Sequence, residues 1–390
     1  MTTALVSGIG EVHPARKLGQ PLDVLLLRAI GAALADAGLR SDQIGAVVTE
    51  SSLVPKQAPL DRIAPAAGLS RLDVVMQSSP MGAGILAAVG QAFDLVASGK
   101  VEHCLTYFGV DWGTSPEGPT EYHERMPAKS IVEFPAGLAG PPLYFGLAAK
   151  RYQHLHGLTD QQLQDMLFDV VRCTLDNAAR HPHAQNGRPL TREAYLAKPL
   201  IAEPLRSADC SLLSDGAMAL VISRADKVAR DVTPVGLAAW AYDQEMIPDT
   251  DFYTQSPWLP ALPAAGRSAA KAFRAAGLAP ADIDVFELYD CFSIAVILQL
   301  EAIGVCKSGQ GRELCAGGAL RFDGALPTNT HGGLLGHGYL LGAGHVVEAL
   351  RQLRQEAGSR QVAGARHAFV GAGPGRQYTS LILSRLERES

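Results

Sequence analysis

No stretch of this chain approaches the roughly 20 consecutive apolar residues that a membrane-crossing helix needs, so no helical span is expected. Nor is there an excess of basic residues. A net charge of −5 and a pI near 6.1 argue against an electrostatic grip on nucleic acid. The six cysteines, Cys104, Cys173, Cys210, Cys291, Cys306 and Cys315, include no CxxC pair, so neither a zinc site nor a disulfide framework is indicated. The opening MTTALVSGIG lacks the basic n-region and long apolar core of a secretion signal. The closing Arg385–Ser390 stretch is not a peroxisomal tripeptide. These absences leave a cytoplasmic protein without a metal, nucleic-acid or membrane partner as the expectation. Its 390 residues, 47% hydrophobic and 19% charged, suffice for one large or two ordinary globular domains.

What the chain does have is a repeat of itself, the feature to seek first in any sequence. Ala33–Leu39 and Ala272–Leu278 each close an amphipathic helix on a glycine, which tolerates the positive φ of a helix C-terminus. The register is ungapped: Gly38 matches Gly277 and Ile44 matches Ile283. Residues 42–48 and 281–287 then read as a short turn feeding a buried strand. A second pair follows. Met81-Gly82-Ala83-Gly84 opens an alanine-rich helix running to about Ala97, and Leu341-Gly342-Ala343-Gly344 opens another running to about Glu356. A glycine-rich start lets a helix N-terminus approach a ligand or another backbone.

Two pairs in the same order predict two α/β halves, about 1–230 and 231–390, each with a central sheet. An insertion at about 111–212 interrupts the first. Residues 111–142, rich in Gly, Pro, Ser and charge, read as an irregular loop; 142–156 and 160–180 read as helices. Such a loop on a rigid core is where substrate contacts collect. Its Trp112, Tyr122, Phe134, Tyr144 and Phe145 suit a large apolar substrate, while His154, His156 and His181 read as ordinary surface histidines of the insertion.

Several stretches resemble the thiolase superfamily, and within it the sterol-carrier-protein thiolases. His183-Ala184-Gln185, Ile201–Arg206 leading to Asp209-Cys210, and Ser214-Asp215-Gly216-Ala217 carry part of the match. Glu287-Leu288-Tyr289-Asp290-Cys291-Phe292 stands where the family has Asn-Glu-Ala-Phe or His-Asp-Cys-Phe. Asn329-Thr330-His331-Gly332-Gly333 and Gly338-Tyr339-Leu340-Leu341-Gly342-Ala343 stand where it has Asn-x-x-Gly-Gly and Gly-His-Pro-Leu-Gly-Ala. The resemblance covers nearly the whole chain and implies an α/β thiolase fold, two duplicated halves in a five-layered αβαβα core.

The chemistry departs from the family pattern. In Cys-x-x-Gly-x-x-Ala, Gly84 and Ala87 fit and Met81 occupies the nucleophile's place. A thioether has no ionisable proton and cannot carry an acyl group. The second family cysteine falls at or near Phe369, and both box histidines become tyrosine, at 289 and 339. This pattern resembles the steroid side-chain aldolases of the lipid-transfer-protein type, which imply retro-aldol cleavage of a β-hydroxyacyl-CoA to a ketone and propionyl-CoA or acetyl-CoA.

That reaction needs a base for the β-hydroxyl proton, donors for the thioester enolate and an acid for Cα. Tyr289 is assigned to the base side and Tyr339 to the acid, with the reverse open. His337, a third catalytic candidate, and His331, a substrate-binding one, are expected beside Tyr339 to tune it or hold the thioester oxygen, with the backbone N–H groups of Gly332 and Gly333 and of the helix after Met81 as oxyanion donors. Asn329 is expected to ligate a water or carbonyl, and Asp290 to point to the opposite face from Tyr289. Met81 and Cys291 would line the pocket.

Two rival functions stand beside the lyase. One is a thiolase-like acyl transferase that recruits Cys291 as nucleophile; the other is a non-catalytic acyl-CoA or lipid-binding subunit. No cofactor is implied beyond the coenzyme A of the substrate. Family likeness implies a homodimer, and a heterocomplex with an OB-fold (zinc-ribbon) protein or a hydratase.

Overall fold

The computed structural model describes residues 4–50, 58–78, 82–115, 131, 133–138, 140–245, 260–373 and 375–387. The first half supplies β1 (Ala4–Ala15), β2 (Ala46–Thr49), β3 (Val74–Gln77) and β4 (His103–Asp111). A small ribbon, β5 (Leu200–Ala202) and β6 (Leu205–Arg206), precedes β7 (Asp215–Arg224). The second half supplies β8 (Val235–Gln244), β9 (Val285–Leu288), β10 (His367–Ala372) and β11 (Gln377–Arg385).

These strands form two sheets, in the orders β1-β7-β4-β2-β3 and β8-β11-β10-β9. Their polarities repeat as well. Each sheet begins with two antiparallel pairings and continues with a parallel one, β4 to β2 in the first and β10 to β9 in the second. Where β3 flanks β2, the second half has, among the described residues, only a parallel bridge from Thr328 to Phe286. β4 and β7 are buried along almost their whole length, which explains why they read as continuous apolar runs: both faces of the sheet are covered. β3, at the edge, alternates instead, and Val75 is exposed.

Helices cover the faces. Leu22–Asp36 lies on the outer face of the first sheet and Pro263–Ala276 on the outer face of the second. The glycines expected to end them adopt the left-handed region, Gly38 at φ 65° and Gly277 at φ 68°. Gly84–Ala97 and Ala343–Arg354 contact strands of both sheets and each other, forming the middle layer. The result is the αβαβα stack.

The middle layer also joins the halves. Trp240 of β8 fills the space left by Gly90, where an added Cβ would meet its ring at 2.3 Å. Its indole N–H donates to Asp94 at 3.0 Å. Thr379 of β11 donates to the Ala83 carbonyl at 2.8 Å, and buried Arg354 donates to the Val6 carbonyl at 2.9 Å.

In the insertion, helices span Pro141–Leu155 and Asp160–Ala178. Thr159 and Gln162 form a capping box that starts the second, each side chain bonding the other's backbone N–H. That helix packs on the Ser293–Ala302 helix and on a π turn over Gly333–His337. Most of the expected 111–142 loop, Tyr122 included, lies outside the described residues, and so does Met81. Among the described residues no helix is long and apolar enough to cross a membrane.

Candidate active site

Tyr289 follows the last residue of β9, and its backbone is held from three directions. Its N–H donates to Gly371 of the neighbouring strand at 3.0 Å. Its carbonyl accepts from the Gln299 side chain at 2.9 Å. The residue before it, Leu288, is clamped by Asn329, whose side-chain oxygen accepts the Leu288 N–H at 2.7 Å and whose amide donates to the Leu288 carbonyl at 2.8 Å.

Tyr339 comes from the turn leading into the Ala343–Arg354 helix. Its N–H donates to the Ser214 hydroxyl at 2.9 Å, and Ser214 donates to Gln185 at 2.8 Å. Trp112, at the start of the insertion, lies against its ring with centroids 5.1 Å apart. The two phenol oxygens meet at 2.7 Å, the rings crossing at 69°.

Both phenols are neutral at ordinary pH. Burial pushes each above the usual tyrosine value, and mutual repulsion reinforces this for Tyr289. A bond from Tyr289 works the other way at Tyr339, favouring its anion. Two neutral phenols 2.7 Å apart, each able to donate and to accept, have the geometry for passing a proton between them. Burial likewise pushes the Cys291 thiol well above its usual range, which keeps it from the thiolate form a nucleophile needs.

Other expected contacts resolve differently. Asn329 is 1% exposed, and its side chain holds the Leu288 N–H and carbonyl, so it positions the strand end. The Gly332 N–H donates to the Asn329 carbonyl at 2.8 Å, inside the turn, and is not an oxyanion donor. Gly333 gives way to Asp290: at φ 55°, a Cβ there would lie 2.1 Å from the carboxylate. Asp290 points away from the phenols, as expected, accepting Leu334 N–H at 2.8 Å and facing His345 Nε2 at 3.1 Å. Phe369 is buried against Phe273 and Phe286 in the outer layer. Phe145 stacks on Phe292, with centroids 4.7 Å apart.

His331 and His337 sit in a separate cluster. Among the described residues, neither makes a hydrogen bond or ring contact to a phenol. His331 Nδ1 faces Glu287 at 3.1 Å. Burial alone would lower its pKa, but Glu287 overcomes this and raises it. His337 packs between His331 and His181, at 5.1 and 4.2 Å between ring centres. His181 is therefore no ordinary surface histidine: burial and Arg360 hold its pKa down to about 3. His13 of β1, which the sequence gave no reason to single out, stacks on His183 at 3.9 Å.

Neither ring nitrogen of buried His337 has a hydrogen-bond partner. An orphaned buried polar group costs about 1–3 kcal/mol. Two groups here have metal-ligating donors within 4.8 Å of one another, Glu11–His13–His337 and Glu287–His331–His345. The second is sealed from solvent, with Glu287 and His345 0% and His331 2% exposed.

Comparison with known proteins places these observations. The thiolase C-terminal domain-like family model matches residues 249–385. The 17-hydroxy-3-oxo-4-pregnene-20-carboxyl-CoA lyase of Mycobacterium tuberculosis is 32% identical, over 97% of this chain and 98% of its own. The steroid side-chain-cleaving aldolase of Thermomonospora curvata is 30% identical over 85% of each. The solved Ltp2-ChsH2(DUF35) aldolase superposes with a TM-score of 0.87 at 28% identity, covering 98% of both chains. With the duplicated sheets, the shared helical layer and a phenol pair at the box positions, the chain belongs to the thiolase superfamily, in its branch of steroid side-chain-cleaving aldolases.

Proposed function

We propose that the chain cleaves a β-hydroxyacyl-CoA by retro-aldol chemistry, with Tyr289 and Tyr339 acting as one proton relay. The observation that carries this reading is the 2.7 Å contact between their hydroxyls. The β-hydroxyl gives its proton to Tyr289 as the Cα–Cβ bond breaks, and the β carbon becomes the ketone carbonyl. The bond's electrons pass to the thioester as an enolate. Tyr289 passes its own proton to Tyr339, and Tyr339 protonates Cα. One proton leaves oxygen and one reaches carbon, so no phenolate has to persist in a site where burial disfavours it.

The lyase and aldolase relatives support a steroid side chain as the acyl group; release of propionyl-CoA or acetyl-CoA is the product reading that goes with it. The Ltp2-ChsH2(DUF35) structure supports a heterocomplex; an OB-fold partner and a homodimer are what the family likeness implies. Coenzyme A enters only as part of the substrate. Buried, protonated Cys291 opposes the acyl-transferase reading.

The test is incubation with a β-hydroxyacyl-CoA bearing a steroid-like tail, without free CoA, with and without an OB-fold partner. Mass spectrometry should find a ketone and a shortened acyl-CoA, both lost in Tyr339→Phe. Splitting of a β-ketoacyl-CoA only when CoA is added would replace the lyase with a transferase. Tight ester binding with no turnover in either setting would leave a binding subunit.

A further inference from the structure

We propose that Glu11, His13 and His337 form a binding site for a divalent transition metal, zinc in the first instance, that fastens the first half of the chain to the second. Glu11 and His13 stand two residues apart on β1, hence on one face of the strand. His337 ends the π turn of the second half. One donor atom from each lies within 4.8 Å of the others.

Four-coordinate zinc, with ligands at about 2.1 Å, separates neighbouring donor atoms by about 3.4 Å. His13 Nδ1 and Glu11 Oε2 already stand 3.3 Å apart. The remaining closure falls to His337, and the His13 side chain is 38% exposed. That exposure also gives a metal its way in.

A second observation is independent of this spacing. His337 is 2% exposed, yet both ring nitrogens lack a partner. A bound cation is what a neutral, buried, unpaired imidazole nitrogen can ligate. Two imidazoles and one carboxylate suit zinc, cobalt, nickel or copper, whereas magnesium and calcium prefer oxygen throughout.

His181 completes the surroundings from outside. Its Nδ1 accepts the His183 N–H at 3.1 Å, so in the neutral ring Nε2 carries the proton and is not a ligand. The fourth position then falls to water. Among the described residues no member of the site touches a phenol, so the metal is structural, tying β1 to the turn that precedes Tyr339.

Untagged protein, stripped with chelator, would be titrated with zinc sulfate and followed by calorimetry, metal analysis and thermal melting. One zinc per chain is expected, with binding at least tenfold weaker in His13→Ala and in Glu11→Gln. His154→Ala, on the insertion surface, should bind as the parent does. Zinc should raise the melting temperature of the parent and leave that of His13→Ala unchanged. His337→Gln extends the series if it folds; the two β1 variants decide the matter if it does not. Binding of well under one equivalent, or equal binding by the parent and both β1 variants, would overturn the site.

Discussion

Asn329 and Leu288 pair side chain to backbone, one amide closing both hydrogen bonds of a single strand residue at 2.7 and 2.8 Å. The pairing stands in for a neighbouring strand at the end of β9, where the second sheet has no counterpart of β3. Tyr289 is the next residue, so this amide fixes where the phenol begins.

Asn329→Ala should therefore act twice. It leaves a buried N–H and a buried carbonyl without partners, a loss of about 2–4 kcal/mol in urea unfolding. Turnover should fall with it, because the Tyr289 backbone loses one of its anchors.

A relay predicts non-additive damage. Tyr289→Phe and Tyr339→Phe should each lower kcat by about 10²–10⁴-fold. The double variant should be little worse than the weaker single one, since either change already breaks the chain. Multiplicative losses in single-turnover rates would mean two independent catalysts.

Cys291 offers the opposite expectation. Burial holds its thiol protonated, so iodoacetamide should leave cleavage intact, and Cys291→Ala should turn over near the parent rate. Inactivation by the alkylator in the parent alone would return the transferase reading.

Acid should weaken the fold through the histidine cluster. His181 stays neutral in the folded chain down to about pH 3, whereas an unfolded imidazole protonates near 6.5. The unfolded state thus binds more protons between these values. Stability present above pH 6.5 is lost as pH falls toward 3. Burial of His337 acts in the same direction. Urea midpoints measured from pH 7 to 5 should fall, and His181→Gln should flatten that slope.

The duplication was legible because its markers are local. A glycine in the left-handed region closes a helix wherever it stands, and Gly38 and Gly277 do so in matching register. The insertion helices were legible for the same reason, one of them announced by Thr159 and Gln162. Box positions pointed to Tyr289 and Tyr339, and the hydrogen bond between them is a product of the turn geometry. The histidine cluster could not be read, because β1, the insertion and the π turn meet only in the folded chain. The Asn329 partners could not be read for a related reason: they are backbone groups, which leave no signature in a sequence. The Gly332 N–H, spent within its own turn, is a similar case.

The register that matches Gly38 with Gly277 also matches Glu50 with Tyr289. Glu50 is wholly buried just past β2, as Tyr289 is buried just past β9. The two copies thus carry different acids at one matched position, and both phenols of the pair reside in the second. The first copy lends the supports instead: Trp112 lies against the Tyr339 ring and Ser214 accepts its N–H, so the pair is held by residues of both halves.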